Sequence, residues 1–268
     1  MTFTDKLNQI IEKKNSFLCV GLDTDIVKLP DHLKSKPSNV VEFNKNIIEA
    51  TSAYAAAYKI NIAFYESRGI EGWNDLAETL EFIDENTIVI ADAKRGDIGN
   101  TSLQYAKTFF ETYNFDAITV APYMGFDSLS PFLEYKDKGV FALCLTSNKG
   151  SKDFQYLESN GQLLYQHVAK KLNEWNIHEN IGLVAGATHP EELKDLRERA
   201  GDIPFLIPGV GAQGGDLEAV LNNALTQDKN GILINSSRGI IFASSEKDYA
   251  EIAAQKSKEL VEQMRAKI

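Results

Sequence analysis

Residues 87–101 read TIVIADAKRGDIGNT. The apolar run Ile88 to Ala91 passes without a break into Asp92, Lys94, Arg95 and Asp97. An apolar run that does not alternate with polar residues marks a strand buried on both faces, as in a parallel sheet. Charges of both signs directly after it suit either a solvated loop, the common fate of such segments, or an active site. The rest of the chain decides between them.

Seven further runs have the same character: FLCVGLD (17–23), AYKINIAF (57–64), AITVAPY (117–123), GVFALCLTS (139–147), IGLVAGAT (181–188), PFLIPGVG (204–211) and GILINSS (231–237). The segments between them read as helices. Val40, Phe43, Ile47, Ala50 and Tyr54 share one helical face, as do Leu217, Val220, Leu221 and Leu225. HPEEL (189–193) places a proline and two acids where a helix start favours them. Tyr249, Ile252, Leu260 and Met264 mark a closing helix. Eight strands, each followed by a helical segment, predict a (β/α)₈ TIM barrel, with a doubly wound open sheet as the alternative. No composition shift marks a linker, so residues 1–268 are expected to form a single barrel domain. The longest irregular stretch, residues 147–161, is expected to be a lid.

The composition, 43% hydrophobic and 25% charged over 268 residues, is that of an ordinary globular protein. A net charge of −10 with no basic tract argues against nucleic-acid binding. An anionic small substrate remains open if positive groups gather in a cleft. Cys19 and Cys144 lie inside apolar runs and read as buried thiols, not as a disulfide or metal site. MTFTDKLNQIIEKKNS, at the start, reads as an amphipathic helix without the apolar core of a signal peptide. No apolar stretch is long enough to span a bilayer. A cytoplasmic protein without membrane association is expected.

In such a barrel the chemistry sits at the C-terminal ends of the strands. Those ends carry Asp23, Lys59, Asp92, Lys94, Ser147, Pro208 with Gln213, and Arg238. Lys59 interrupts an apolar strand, where an ammonium loses its water and needs carboxylate partners. Asp92 and Lys94, two apart on a strand, share a face. Singly these residues suit a rim ion pair or a snorkelling lysine; together, at three strand ends, they read as a site. The glycine-rich PGVGAQGGD (208–216) and the following NSSRGI (235–240) occupy the corner where barrels often bind phosphate on backbone N–H groups. Arg238 can add a bidentate contact there.

DAKRGDIGNT (92–101) closely resembles the Asp-x-Lys-x-x-Asp signature of the orotidine 5′-phosphate decarboxylase family. GLDTD (21–25), YKINIAFYE (58–66), LTSN (145–148), GATHPEEL (186–193), PGVGAQGGD and NSSRGI match its other segments in order, along nearly the whole chain. The resemblance is to the longer bacterial type. One departure is Ile60, where the family pattern has proline, at a strand position with no chemical duty.

The resemblance implies conversion of orotidine 5′-monophosphate to UMP and carbon dioxide in pyrimidine nucleotide synthesis, with no cofactor and no metal. It implies a homodimer with shared active sites. Lys59, Asp92 and Lys94 would come from one subunit, with Lys94 the proton donor. Asp97, Ile98 and Thr101 would reach into the other subunit's site. Gln213 and Arg238 would hold the phosphate, Ser147 the pyrimidine edge, and Asp23 and Lys59 the ribose hydroxyls. Pro208 and Ser237 would complete the substrate site. Arg95, next to Lys94, would point away into a structural ion pair. Three rivals remain: a Mg²⁺-dependent barrel lyase acting on a sugar phosphate, a Schiff-base aldolase using Lys94 or Lys59, and a nucleotide-binding protein without turnover. A Schiff base needs a neutral amine, which neighbouring aspartates oppose.

Overall fold

The computed structural model describes residues 1–36, 38–187, 190–210 and 216–268. Every apolar run forms a strand: β1 (Leu18–Gly21), β2 (Ala57–Asn61), β3 (Ile88–Arg95), β4 (Ala117–Val120), β5 (Gly139–Leu145), β6 (Ile181–Ala185), β7 (Phe205–Pro208) and β8 (Ile232–Ser236). Each pairs in parallel with the next, and β8 pairs with β1 to close the barrel. With helices between the strands, this is a (β/α)₈ TIM barrel and not an open sheet. The absence of alternation has its cause here: one face of each strand fills the barrel and the other packs against helices.

The helix Asn39–Thr51 buries Val40, Phe43 and Ile47 as the spacing predicts. It ends at Thr51, so Tyr54 lies past it in the turn that feeds β2. The helix Leu217–Ala224 likewise stops one residue short of Leu225. Residues 147–161 are less irregular than expected. They contain a 3₁₀ turn, Lys149–Asp153, and most of a short hairpin that pairs Glu158–Ser159 with Gln162–Leu163.

The helix Phe3–Lys14 plugs the N-terminal end of the barrel. Thr2 and Asp5 cap it reciprocally, each side chain accepting the other's backbone N–H. Phe3 is fully buried and meets Phe141 edge to face at 5.9 Å. Gly139 makes room for it, since a Cβ there would lie 2.4 Å from the Phe3 ring. Near the same end Arg197 fastens the helix Pro190–Ala200 to its neighbours. Its guanidinium donates to the carbonyls of Ala224 (2.7 Å), Gly201 (2.7 Å), Ile203 (2.8 Å) and Gly231 (3.0 Å), and lies 3.8 Å over the Phe205 ring. With the bottom packed, the polar residues have the C-terminal mouth to occupy. Among the described residues no helix is long and apolar enough to cross a membrane.

Candidate active site

The mouth opens a pocket of about 560 Å³ to which every strand, or the loop just after it, contributes. Lys59 of β2, Asp92 and Lys94 of β3 and Asp23 after β1 line it. The Asp92 carboxylate bridges the two lysines: Oδ2 accepts from Lys59 Nζ at 2.9 Å and Oδ1 from Lys94 Nζ at 2.5 Å. Lys59 Nζ also lies 3.7 Å from Asp23 Oδ1.

Burial decides what these pairs are worth. Lys59 is 5% exposed and Asp92 9%. Burial alone would strip the charge from Lys59, but the carboxylates of Asp23 and Asp92 outweigh it and hold its pKa above the ordinary lysine value. Burial likewise pushes the Asp92 carboxyl up, yet Lys59 and Lys94 outweigh it and hold Asp92 well below the usual carboxylate range. The result is a row of alternating charge in which Lys59 and Asp92 sit in a recess that screens them poorly, while the Lys94 side chain is half exposed at its open side.

Four side-chain oxygens facing this pocket are buried without a hydrogen-bond partner among the described residues: Asp23 Oδ1, Ser147 Oγ, Asn235 Oδ1 and Ser237 Oγ. Buried polar atoms are rarely left unpaired. Such a cluster at one cavity is what a polar ligand with several hydroxyl and amide groups would satisfy.

The sequence profile of the orotidine 5′-phosphate decarboxylase / HUMPS family matches residues 16–253. Orotidine 5′-phosphate decarboxylase from Dehalococcoides mccartyi (strain CBDB1) is 51% identical over 269 residues, covering 99% of this chain and 96% of that protein. The chain belongs to the orotidine 5′-phosphate decarboxylase family of carboxy-lyases. The Bacteroides fragilis (strain ATCC 25285) decarboxylase is 50% identical over 258 residues, with 95% of this chain and 94% of that one aligned. Among solved structures, the Leishmania donovani OMP decarboxylase superimposes with a TM-score of 0.84 at 43% identity, covering 97% of this chain and 99% of that one. Leishmania donovani UMP synthase superimposes with a TM-score of 0.90 at 45% identity; all of this chain is covered, but only 56% of that longer one.

Of the candidate site residues read from the sequence, the fold gathers Asp23, Lys59, Asp92, Lys94, Ser147, Pro208, Ser237 and Arg238 around one pocket. Arg238 is exposed, and its guanidinium makes no hydrogen bond or ion pair among the described residues. Gln213 lies outside the described residues. Asp97, Ile98 and Thr101 do not line the pocket of their own chain. Asp97 accepts the backbone N–H of Ile98 at 2.8 Å, Ile98 is 54% exposed, and Thr101 is exposed at the start of the helix Gly99–Lys107. Arg95 points away from the pocket, as expected. It pairs with Glu66, donates to the Ala93 carbonyl at 3.2 Å, and lies over the rings of Tyr105 and Phe109.

Both cysteines are buried, and burial pushes each thiol up to about 12. They are neutral thiols packed in the barrel wall, as the apolar runs predict. Thr119 and Asn235 also line the pocket and were not singled out in the sequence. Their signal was a polar residue inside an apolar strand, the same feature that marked Lys59, but without a charge to draw notice.

Proposed function

We propose that this pocket converts orotidine 5′-monophosphate to UMP and carbon dioxide. The observation that carries the reading is the buried pair Lys59–Asp92 extended to Lys94 at the pocket's open side, beside a cavity lined with hydroxyl, amide and carboxylate oxygens that make no hydrogen bond among the described residues. Breaking the bond from C6 to the carboxylate releases carbon dioxide and leaves the electron pair on C6, in an orbital that no carbonyl directly delocalises. The Lys94 ammonium stabilises that pair and then gives C6 its proton; the neutral amine left behind regains a proton from water. Asp92 keeps both lysines in place and lies beside the departing carboxylate. The main contribution is charge stabilisation in the transition state, by groups whose orientation is fixed before the reaction starts.

Arg238, with Gln213, holds the phosphate. Ser147 reads the pyrimidine edge, and Asp23 and Lys59 the ribose hydroxyls. Phosphate binding far from C6 draws residues 147–161 over the substrate, so that remote binding energy serves the chemical step. The active unit is a homodimer in which Asp97, Ile98 and Thr101 complete the other subunit's site. Their position outside their own chain's pocket supports this arrangement. Each subunit is a single barrel domain spanning residues 1–268.

The test is a spectrophotometric assay with orotidine 5′-monophosphate, with and without EDTA and borohydride. Turnover that survives both supports the reading. No turnover by folded protein, loss of activity in EDTA, or a borohydride-trapped adduct each overturns it in favour of a rival.

A further inference from the structure

Strands β3 and β4 keep register up to the mouth of the barrel and then lose it. Ala91 pairs with Ile118 and Arg95 with Val120, so Asp92, Ala93 and Lys94 together face the single residue Thr119. The surplus is taken up at Lys94, whose φ is +49°. A residue with a side chain keeps that left-handed conformation only where its surroundings hold it.

Thr119 supplies the hold. Its Oγ1 accepts the Lys94 backbone N–H at 2.9 Å and donates to Asp92 Oδ1 at 2.9 Å. The polarity has one solution. A backbone N–H can only donate and a carboxylate can only accept, so the single hydroxyl proton goes to Asp92. Thr119 is 1% exposed, which keeps water from substituting for it. The oxygen it reaches, Asp92 Oδ1, is the one that receives Lys94 Nζ. One hydroxyl therefore fixes both the backbone of the lysine and the carboxylate that aims its ammonium.

We infer that Thr119 is a positioning residue for the decarboxylation, setting the Asp92–Lys94 pair in the geometry that protonates C6. This rests on the reading of Lys94 as proton donor. Valine has nearly the shape of threonine but can neither accept from Lys94 nor donate to Asp92.

The experiment compares wild type, Thr119→Val and Thr119→Ser for kcat and KM with orotidine 5′-monophosphate, and for UMP affinity. Hydrogen bonds to charged groups are the stronger class, so kcat of Thr119→Val should fall roughly tenfold or more. KM and UMP affinity should stay within about threefold, since Thr119 serves the chemical step and not binding. Thr119→Ser keeps the hydroxyl and should recover most of the rate. A smaller loss in Thr119→Val, a loss carried equally by UMP affinity, or a serine variant as slow as the valine one overturns the inference. If Thr119→Val does not fold, Thr119→Ala, which adds no bulk, is read by the same criteria. A wild-type chain without turnover overturns the functional reading as well; an active wild type with an equally active Thr119→Val overturns this inference alone.

Discussion

Gly21 and Ser237 stand so close that only glycine fits at position 21. A Cβ there would lie 1.8 Å from Ser237 Oγ and 2.9 Å from Ser237 Cβ. The hydroxyl could rotate aside, but the Cβ could not, so a side chain at 21 must displace the backbone at Ser237. Ser237 leads into the short helix that begins at Arg238. The first strand of the barrel thus sets the position of the last loop at the mouth.

Gly21→Ala should therefore shift Arg238 and raise KM for orotidine 5′-monophosphate about tenfold, a loss of ~1.4 kcal/mol, with a smaller change in kcat. Circular dichroism should show the barrel intact. Steady-state kinetics giving an unchanged KM would mean that this corner absorbs the added methyl.

If Lys94 is the proton donor, it acts on charge that is absent from the ground state, so Lys94→Ala should abolish turnover while costing UMP affinity far less. A fall in kcat of less than about tenfold, worth ~1.4 kcal/mol of barrier, would remove Lys94 as proton donor.

Arg238→Ala should raise KM strongly and slow the reaction through poorer closure of residues 147–161. Added guanidinium should restore part of the activity, since the missing piece is a small soluble cation. With orotidine, which lacks the phosphate, wild type and variant should differ little. A large difference on that truncated substrate would show that Arg238 acts elsewhere than on the phosphate.

The folded state holds Asp92 well below the usual carboxylate range. The unfolded chain therefore takes up this proton first, near the ordinary aspartate pKa of about 3.9. The stabilisation is fully present above about pH 4 and is lost as pH falls towards the folded pKa. Urea unfolding followed from pH 5 to 2.5 should show stability falling with acid. Asp92→Asn should flatten that slope by up to about 1.4 kcal/mol per pH unit, the limit for one proton. Equal slopes in the two proteins would mean that Asp92 titrates alike folded and unfolded.

Asp97→Ala and Lys94→Ala should each be inactive alone and active when mixed under conditions that exchange subunits. In a heterodimer one site receives Lys94 and Asp97 from different chains and is intact; the other carries both defects. Random exchange in a two-fold dimer gives about half heterodimers, so roughly a quarter of all sites should work. A mixture that stays dead after demonstrated exchange would show that each chain builds its site alone.

The strand pattern carried much of this protein. Eight apolar runs without alternation must be buried on both faces, so a parallel sheet covered by helices was legible from spacing, while its closure into a barrel and not an open sheet came with the pairing of β8 and β1. The same pattern made Lys59 conspicuous and sent Arg95 away from Lys94. Helix ends were less legible: Tyr54 and Leu225 continue the apolar spacing after the chain has already turned towards the next strand.

What lies between strands was decided by the tertiary structure. The need of Lys59 for a carboxylate follows from its own segment, but its pairing with Asp92, 33 residues on, and Asp23 follows from the stagger of the closed barrel. Strand alternation predicted that Asp92 and Lys94 share a face. They do meet, but with Lys94 at a positive φ, in a bulge of β3 that Thr119, on the adjacent strand, holds in place. The physical reason is range. Burial imprints a period on each segment separately, and that period can be read locally. Register, bulges and the pairing of buried charges depend on how separate segments line up across the barrel, which no single segment contains.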